Sequence, residues 1–263
     1  MNIRTTIFSG LLAAIILPAG TGAVFAADLD RQDIEHRLSR ADKQHPADLR
    51  RKDLKGVDMS GLDLRNADLW GADLRGANLS NCNLSGLNLD LTVMTKINLA
   101  GADLSNVSIF AVSMVGANLR NANLQGSRII AILDRADLSN ANISNARWGA
   151  DMKNQPMGLM RVNLNKANLS GANLSGTDLG RAMMQFANLT GANLENAKLF
   201  SADLDAADLT GANLRGADFS ETKLTDANFT GADLAGTRLI GIRGRETIRG
   251  LNTAKNLDSA VFD

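Results

Sequence analysis

The chain has 263 residues, a length that suits one or two domains. Lys and Arg together number 28, as do Asp and Glu, so no strong net charge favours nucleic acid or an anionic membrane surface as a partner. Tyr is absent and there are only 8 Phe and 2 Trp, which argues against an ordinary core built from large side chains.

Residues 1–26 have the pattern of a secretory signal peptide. Arg4 supplies a positive start, residues 7–17 are apolar, and small residues lead to Ala26. We expect cleavage after Ala26 and an exported protein, periplasmic or secreted, or lumenal if the source is photosynthetic. The apolar stretch is short for a membrane span, so no span is expected after cleavage. An uncleaved N-terminal anchor is the alternative.

Residues 27–46 separate this segment from the rest of the chain and predict a short helix. Asp30 has the side chain typical of a helix N-cap. Ile34, Leu38 and Ala41 fall on one face of the helix that follows. We therefore expect a helical N-terminal cap over 27–46.

From residue 47 to 241 an apolar residue recurs every five positions, as in LWGADLRGANL at 69–79. If the apolar centre is called i, position i−2 is usually Ala, i−1 is mostly Asp or Asn, and i+2 is often Gly or Asn. In an extended segment i−2 and i point to the same side. Gly or Asn at i+2 suits a turn with positive φ, so each unit is predicted to be a short strand followed by a corner.

This pattern resembles the A(D/N)LXX consensus of the pentapeptide-repeat family. The resemblance implies an all-β solenoid, namely a right-handed quadrilateral β-helix in which four units make one coil and short, partly helical caps close the ends. An α-solenoid is a poor alternative, because helical spacing of apolar residues is absent and frequent Gly and Asn destabilise helices.

The five-residue phase breaks between about 130 and 160. Continuing it after Ile129 would bury Asp134, which is costly without a partner, so Leu133 is the better centre and one residue has been lost. The phase is regular again at Leu164, and we expect one compensating residue between Trp148 and Leu159. The coil is expected to continue through the break without splitting into two domains.

A loop is predicted where the phase is restored. It is either a tolerated surface irregularity or a recognition loop, and its residues are Met152, Lys153, Asn154, Gln155 and Pro156. Beyond the repeats, residues 242–263 depart from the period and still carry apolar side chains. They predict a C-terminal cap that is partly helical.

No sequence motif for catalysis is present. His36 and His45 are the only histidines, and Cys82 is the only cysteine and occupies a slot that usually holds Ala, which predicts a small buried side chain. The Asp side chains at i−1 alternate with Asn, so a paired acid–base site is not expected. We therefore expect no enzyme activity, no cofactor and no metal site.

One outward-facing corner is unusually apolar. With four units per coil, positions 20 residues apart stack, and this places a series of large apolar side chains together: Trp70, Leu91, Phe110, Ile130 and, near the same edge, Trp148. We call these five residues the apolar ridge. A contiguous exposed patch of this kind marks an interaction site, unless the N-terminal helix or another part of the chain covers it.

These features favour a non-enzymatic, exported scaffold that binds an unknown protein partner, or a second copy of itself through an end or the ridge. Nucleic acid is not an expected partner. The resemblance also suggests a DNA-mimicking topoisomerase-binding protein of the quinolone-resistance type, which the signal peptide and the near-neutral charge disfavour. Ice or mineral binding ranks last, because the outward positions lack a regular Thr ladder.

Overall fold

The computed structural model describes residues 27–150 and 160–263. The predicted signal peptide, residues 1–26, and the predicted loop, residues 152–156, lie outside the described residues. The remainder forms stacked coils whose short strands pair in parallel. The strands with two or more residues are β1 (Ala47–Asp48), β2 (Ala67–Asp68), β3 (Ser108–Ser113), β4 (Arg128–Ile132), β5 (Arg238–Leu239) and β6 (Val261–Phe262).

The single α-helix of the described residues, α1 (Arg31–Leu38), covers the open end of the first coil. Asp30 caps it: the Asp30 carboxylate accepts from the Asp33 N–H, and the Asp33 side chain accepts from the Asp30 N–H. Ile34 is fully buried in the core. Arg31 donates to the Ser60 carbonyl at 3.1 Å, so the helix closes an end that would otherwise be an exposed sheet edge.

Four five-residue units make each regular coil. Parallel bridges join residues 20 apart, for example Asp53↔Asp73, Asn78↔Asn98 and Asp208↔Asn228. This register places the repeat centres in columns, and Leu69, Leu74 and their counterparts are 0–1% exposed. Ala at i−2 is buried beside them, so the interior is filled by one large and one small side chain from each unit.

The Asp or Asn side chain at i−1 points outward, and it also accepts hydrogen bonds that stabilise the coil. Asn78 shows it: its Oδ1 accepts from the Ser80 N–H at 3.2 Å and from Asn98 Nδ2 at 2.8 Å. The first bond holds the corner, and the second links one coil to the next. Both need a short side chain with an acceptor oxygen, which Asp and Asn provide.

The corners are turns in which the residue at i+2 has positive φ. Leu69 O accepts from the Ala72 N–H at 2.9 Å across one of them, and Gly71 at i+2 has φ +67°. Glycine meets this requirement without steric cost, and asparagine tolerates it, as Asn81 does at φ +57°.

The predicted phase break is present, and Leu133 is confirmed as the centre, with 0% exposure. On earlier coils the parallel bridges join residues 20 apart. At Asn118↔Asp137 the bridged residues are 19 apart, so this coil is one residue shorter. The shortened unit is β4, which pairs with β3 around a bulge between Phe110 and Val112. Parallel pairing continues across the break.

The insertion that compensates for the lost residue is larger than the single residue predicted, so that prediction is wrong. Pairing changes to residues 31 apart at Ile132↔Asn163 and Arg147↔Asp178, so about eleven residues are inserted between Arg147 and Asn163 relative to a regular coil. The sequence could not reveal this, because ten of these residues equal two whole units and leave the five-residue phase unchanged.

The C-terminal residues form one more coil with units of six residues. Arg243, Arg249, Lys255 and Val261 pair with the coil below, and three 3-10 turns occupy its corners: Arg245–Thr247, Leu251–Thr253 and Leu257–Ser259. The positions above the buried leucine columns hold Gly244, Gly250 and Asn256, all with positive φ. Apolar side chains of this last coil pack against the core and are partly buried: Ile248, Leu251, Leu257 and Phe262. No helix in the described part of the chain is long and apolar enough to cross a membrane.

Candidate functional site

Trp70 is the first aromatic residue of the apolar ridge, and it is partly exposed at a corner. The Arg51 guanidinium lies over its ring, with Cζ 4.8 Å from the ring centroid. The Arg51 stem passes beside Gly71, where an added Cβ would be in van der Waals contact with Arg51 Cγ at 3.4 Å. The Arg51 N–H also donates to the Trp70 carbonyl at 3.0 Å, so backbone and side chain hold the two residues together.

Leu91 and Phe110 continue the ridge on the next coils. Leu91 is 50% exposed and has φ +62°, a conformation that is unusual for a bulky residue. Phe110 in β3 is partly exposed, with Arg128 Cζ 5.8 Å from its ring centroid. Trp70, Leu91 and Phe110 therefore present apolar surface over three neighbouring coils.

Two residues predicted for the ridge are not on the surface. Ile130 is only 4% exposed, because the loss of one residue in β4 removes the corner that would have turned its side chain outward. Trp148 is fully buried and occupies a core centre, and its Nε1–H donates to Ser127 Oγ at 3.0 Å. The described part of the ridge that is accessible thus consists of Trp70, Leu91 and Phe110.

Helix α1 does not account for these exposed side chains. It lies against the end of the first coil, where Ile34 enters the core and Arg37 donates to the Asp48 carbonyl at 2.7 Å. Trp70 keeps part of its surface beside an open groove that Pro46 and Leu87 also line. The helical cap therefore borders the ridge and leaves it accessible.

Sequence reasoning missed two exposed aromatic residues in the second half of the chain. Phe200 is 39% exposed on the same corner as Trp70, and Phe186 is 58% exposed on the neighbouring corner. Phe186 has φ +58°, and Lys166 Nζ lies 5.8 Å from its ring centroid. The sequence alone could not place Phe200 on this corner, because the column is shifted by the 31-residue step between Arg147 and Asp178.

The predicted loop residues 152–156 lie outside the described residues, so their contacts are not assigned. The register nevertheless places the residue described just before them. It follows the unit centred on Trp148, which belongs to the column of Leu69, and the Ala150 N–H still donates to the Gly180 carbonyl at 2.9 Å. Ala150, the last residue described before residue 160, therefore lies at the corner that carries the ridge.

Asp134 occupies the neighbouring corner, next to the register change. Its Oδ1 is buried without a hydrogen-bond partner. Burial raises the pKa of its carboxyl, and smaller opposing effects come from the backbone of Asn165 and the charges of Arg135 and Lys166. The notch around Asp134 is polar and open, with Phe186 at its edge.

Replacing Asp134 with asparagine is expected to raise the free energy of unfolding at pH 7 by less than about 1 kcal/mol, because solvent screens this partly exposed carboxylate. Because the folded pKa is raised, the folded protein binds more protons than the unfolded chain between the two pKa values. Wild-type stability therefore falls as pH rises through that window and stays lower above it. Asparagine does not titrate, so the gain should disappear near pH 3. Thermal unfolding at both pH values measures the difference.

Asp63→Asn is the matched control, since hydrogen bonds from Arg65 lower the pKa of the Asp63 carboxyl. Its charged form is the stabilised one, so this substitution should give no gain at pH 7. An Asp134→Asn protein with the same gain at both pH values would contradict the electrostatic origin.

Acidic and basic side chains alternate over much of the remaining surface. Asp73 binds Arg75, whose hydrogen bond is the main cause of the lowered pKa of the Asp73 carboxyl. Comparable pairs recur on other coils: Arg50–Asp48, Lys55–Asp53, Arg65–Asp63, Arg120–Asp137, Arg215–Asp233 and Lys223–Asp203. The acidic residues at i−1 therefore do not form one continuous unpaired anionic face.

The two histidines and the cysteine form no common site. His45 lies 3.3 Å from Asp42 on the exposed N-terminal segment. Cys82 is buried as predicted; its Sγ–H donates to the Met59 carbonyl at 3.0 Å, and burial raises the pKa of its thiol. Within residues 27–150 and 160–263, no group of three or more His, Cys, Asp or Glu side chains is arranged to hold a metal ion.

The sequence profile of the pentapeptide repeats matches eight copies in this chain, over residues 47–71, 58–95, 72–109, 88–126, 159–199 and 202–241. These segments cover more than half of the chain. No curated protein matches it.

Several solved structures are similar to the chain. HetL, a pentapeptide repeat protein involved in heterocyst differentiation regulation from Nostoc sp. strain PCC 7120, is 28% identical with a TM-score of 0.48, over 89% of this chain and 99% of HetL. QnrB1, a plasmid-mediated fluoroquinolone resistance protein, is 20% identical with a TM-score of 0.42, over 72% and 90%. Rfr23 from the cyanobacterium Cyanothece 51142 is 28% identical with a TM-score of 0.26, over 50% and 91%.

Proposed function

Because the chain belongs to the pentapeptide-repeat family, we propose that it is a non-enzymatic scaffold, exported from the cytoplasm, that binds a partner protein through the accessible part of the apolar ridge. We also infer that its coil is right-handed and quadrilateral, as the family resemblance implies. The observation that carries the function is the exposure of Trp70, Leu91 and Phe110 on three neighbouring coils of a rigid framework.

The folding requirements of the repeat do not explain these side chains. The corner positions i+1 and i+2 need only a turn, and at i+2 glycine or asparagine satisfies it best. Leu91 instead places a half-exposed apolar side chain at φ +62°. The positive φ belongs to the repeat, since Arg51 and Lys96 share it at the same position; the repeat does not require a large apolar side chain there, and this supports an interaction through the corner.

Export rests on residues 1–26, whose charged start, apolar stretch and small residues before Ala27 fit a signal peptide. The destination would be the periplasm or the exterior, or a lumen in a photosynthetic source. A second copy of this chain, joined through the ridge or a coil end, is the other partner consistent with the proposal.

The DNA-mimicking alternative is not favoured. Mimicry of DNA needs a continuous anionic surface, whereas Asp48, Asp63 and Asp73 each pair with an arginine two residues later. Acidic and basic residues are also equal in number in the whole chain, which argues against DNA mimicry.

Fractionation of native cells followed by crosslinking tests this proposal. We expect the protein outside the cytoplasm with its N-terminus near residue 27, and a specific crosslink from a photoreactive residue introduced at position 91. The crosslink should fall at least about tenfold when Trp70 and Phe110 are both changed to serine, since exposed aromatic residues dominate binding energy. Changing the polar Ser80 and Arg120, on another corner, to alanine is the matched control.

Detection of the protein in the cytoplasm with residues 1–26 intact would overturn export. A crosslink that survives the Trp70→Ser, Phe110→Ser double substitution, in a protein of unchanged stability, would remove the ridge as the binding surface.

A further inference from the structure

We propose that Arg51, stacked on Trp70, binds a carboxylate of the partner, so that the ridge recognises a protein segment with an acidic residue beside an apolar one. This inference rests on the proposed function and adds the chemistry of the partner. It follows from a difference between two adjacent arginines at the same corner.

Arg50 already has carboxylate partners within the chain. Its Nε lies 3.0 Å from Asp48 Oδ1 and 3.6 Å from Asp68 Oδ2. These pairs raise the pKa of the Arg50 guanidinium, mainly through the hydrogen bond with Asp48. Arg50 therefore completes the charge pattern of the repeat.

Arg51 has no such partner. It is exposed, and no carboxylate of residues 27–150 or 160–263 forms an ion pair with it. Its guanidinium is instead held over Trp70, with Cζ 4.8 Å from the ring centroid. Stacking on one face leaves the N–H groups at the edge of the guanidinium plane available, and these are the groups that bind a carboxylate in a bidentate manner.

The geometry around Arg51 leaves room for such a group. Asp48, Arg50, Arg51 and Trp70 line an open notch of about 380 Å³. The two carboxylates beside this notch, Asp48 and Asp68, both face Arg50, so Arg51 is the arginine left without an ion-pair partner. The neighbouring groove of about 480 Å³ is lined by Trp70, Leu87 and Asn88 among others and can accept an apolar side chain.

The position of Arg51 is also restricted before binding. Its backbone N–H donates to the Trp70 carbonyl at 3.0 Å, and its φ is +55°. A side chain held in this way loses less conformational freedom on binding than a free arginine, and Trp and Arg are the residue types most enriched at the energetic centres of interfaces.

Asp90, the acidic residue beside Leu91, does not remove this preference. Asp90 precedes Leu91 and accepts a hydrogen bond from Ser108 Oγ at 3.1 Å. Asp90 lies two coils from Arg51, roughly 10 Å at the usual spacing of strands. The expected partner therefore places its carboxylate at the Arg51 end and its apolar side chains toward Leu91.

Selection of peptides from a random-peptide phage library on the immobilised protein tests the inference. We expect the selected peptides to be enriched in Asp or Glu next to an apolar residue. A fluorescein-labelled selected peptide should bind Arg51→Gln at least about tenfold more weakly than the wild type in an anisotropy titration. Its affinity should fall with added NaCl, and Arg51→Lys should restore only part of it, because lysine retains the charge and lacks the planar fork.

Arg65→Gln is the matched control, since Arg65 is exposed in the same coil and already pairs with Asp63. This variant should bind the peptide as the wild type does, and circular dichroism should show every variant folded.

The outcomes separate the two proposals. Peptides that lose affinity for Trp70→Ala but bind Arg51→Gln normally would overturn the carboxylate site and leave the ridge as the binding surface. Peptides indifferent to both substitutions, or the selection of none, would overturn both.

Discussion

Replacing Trp148 with alanine is expected to lower the free energy of unfolding by about 3–5 kcal/mol. Trp148 is fully buried at the centre of a repeat unit and donates from Nε1 to Ser127 Oγ at 3.0 Å. Alanine would leave a cavity and an unpaired buried hydroxyl in the coil just before the insertion. Each coil is stabilised mainly by its neighbours, so the loss should spread to the adjacent coils. Urea unfolding followed by circular dichroism measures the effect.

Trp70→Ala is the matched control, because the protein has 2 tryptophans and only Trp70 is partly exposed. It should change the free energy of unfolding by less than about 1 kcal/mol, the range of an exposed cation–π contact. The fluorescence of each single-tryptophan variant gives a second comparison: emission should be blue-shifted when only Trp148 remains. Equal destabilisation by the two substitutions would contradict the assignment of Trp148 to the core.

Replacing Gly250 with alanine is expected to destabilise the last coil by about 2–5 kcal/mol. Gly250 has φ +69°, and an added Cβ would lie 2.7 Å from both the N and the Cα atom of Thr230. Those are backbone atoms of the coil below and cannot rotate away. The last coil must therefore shift or separate from the core that it covers.

Hydrogen exchange of the C-terminal amides measures this local effect. The N–H groups of Phe229 and Leu234 donate to carbonyls of the last coil, at 2.8 and 2.9 Å, and they should lose protection first. Gly231→Ala is the control: it has φ +66° but no atom within 4 Å of the added Cβ, so a cost of about 1–2 kcal/mol is expected. Equal loss of protection in both variants would show that the backbone conformation, and not the close contact, sets the cost.

Most of the repeat architecture could be predicted, because the residue types within each five-residue unit determine its backbone conformation and its buried positions. Leu74 and Ala72 mark the interior, and Gly76 marks a corner with positive φ, within a single five-residue stretch. The shift of the centre to Leu133 was predictable for the same reason, since the alternative would have buried Asp134. Neither Glu nor Gln occupies position i−1 from residue 48 to 238; this signal could have revealed the corner-holding function of Asp and Asn, and it was missed.

The candidate site was predicted less well, because it depends on how coils align. Trp70, Leu91 and Phe110 are accessible, but Ile130 and Trp148 are buried. Trp148 lies three whole units after Leu133, so the five-residue period marks it as a buried centre, and this signal was missed. Placing Ile130 requires knowing where β4 loses its corner, which depends on pairing between coils.

The sequence by itself therefore determined the repeating unit, its interior residues and its family, since these arise from local alternation and from the φ that glycine and asparagine permit. Only the tertiary structure decided the size of the insertion between Arg147 and Asn163, the burial of Ile130 and the stacking of Arg51 on Trp70. The physical reason is that these features join residues about 20 positions or more apart, whose alignment comes from hydrogen bonds between coils. Inserting whole five-residue units leaves the local sequence pattern intact, but it changes which residues lie next to each other on neighbouring coils.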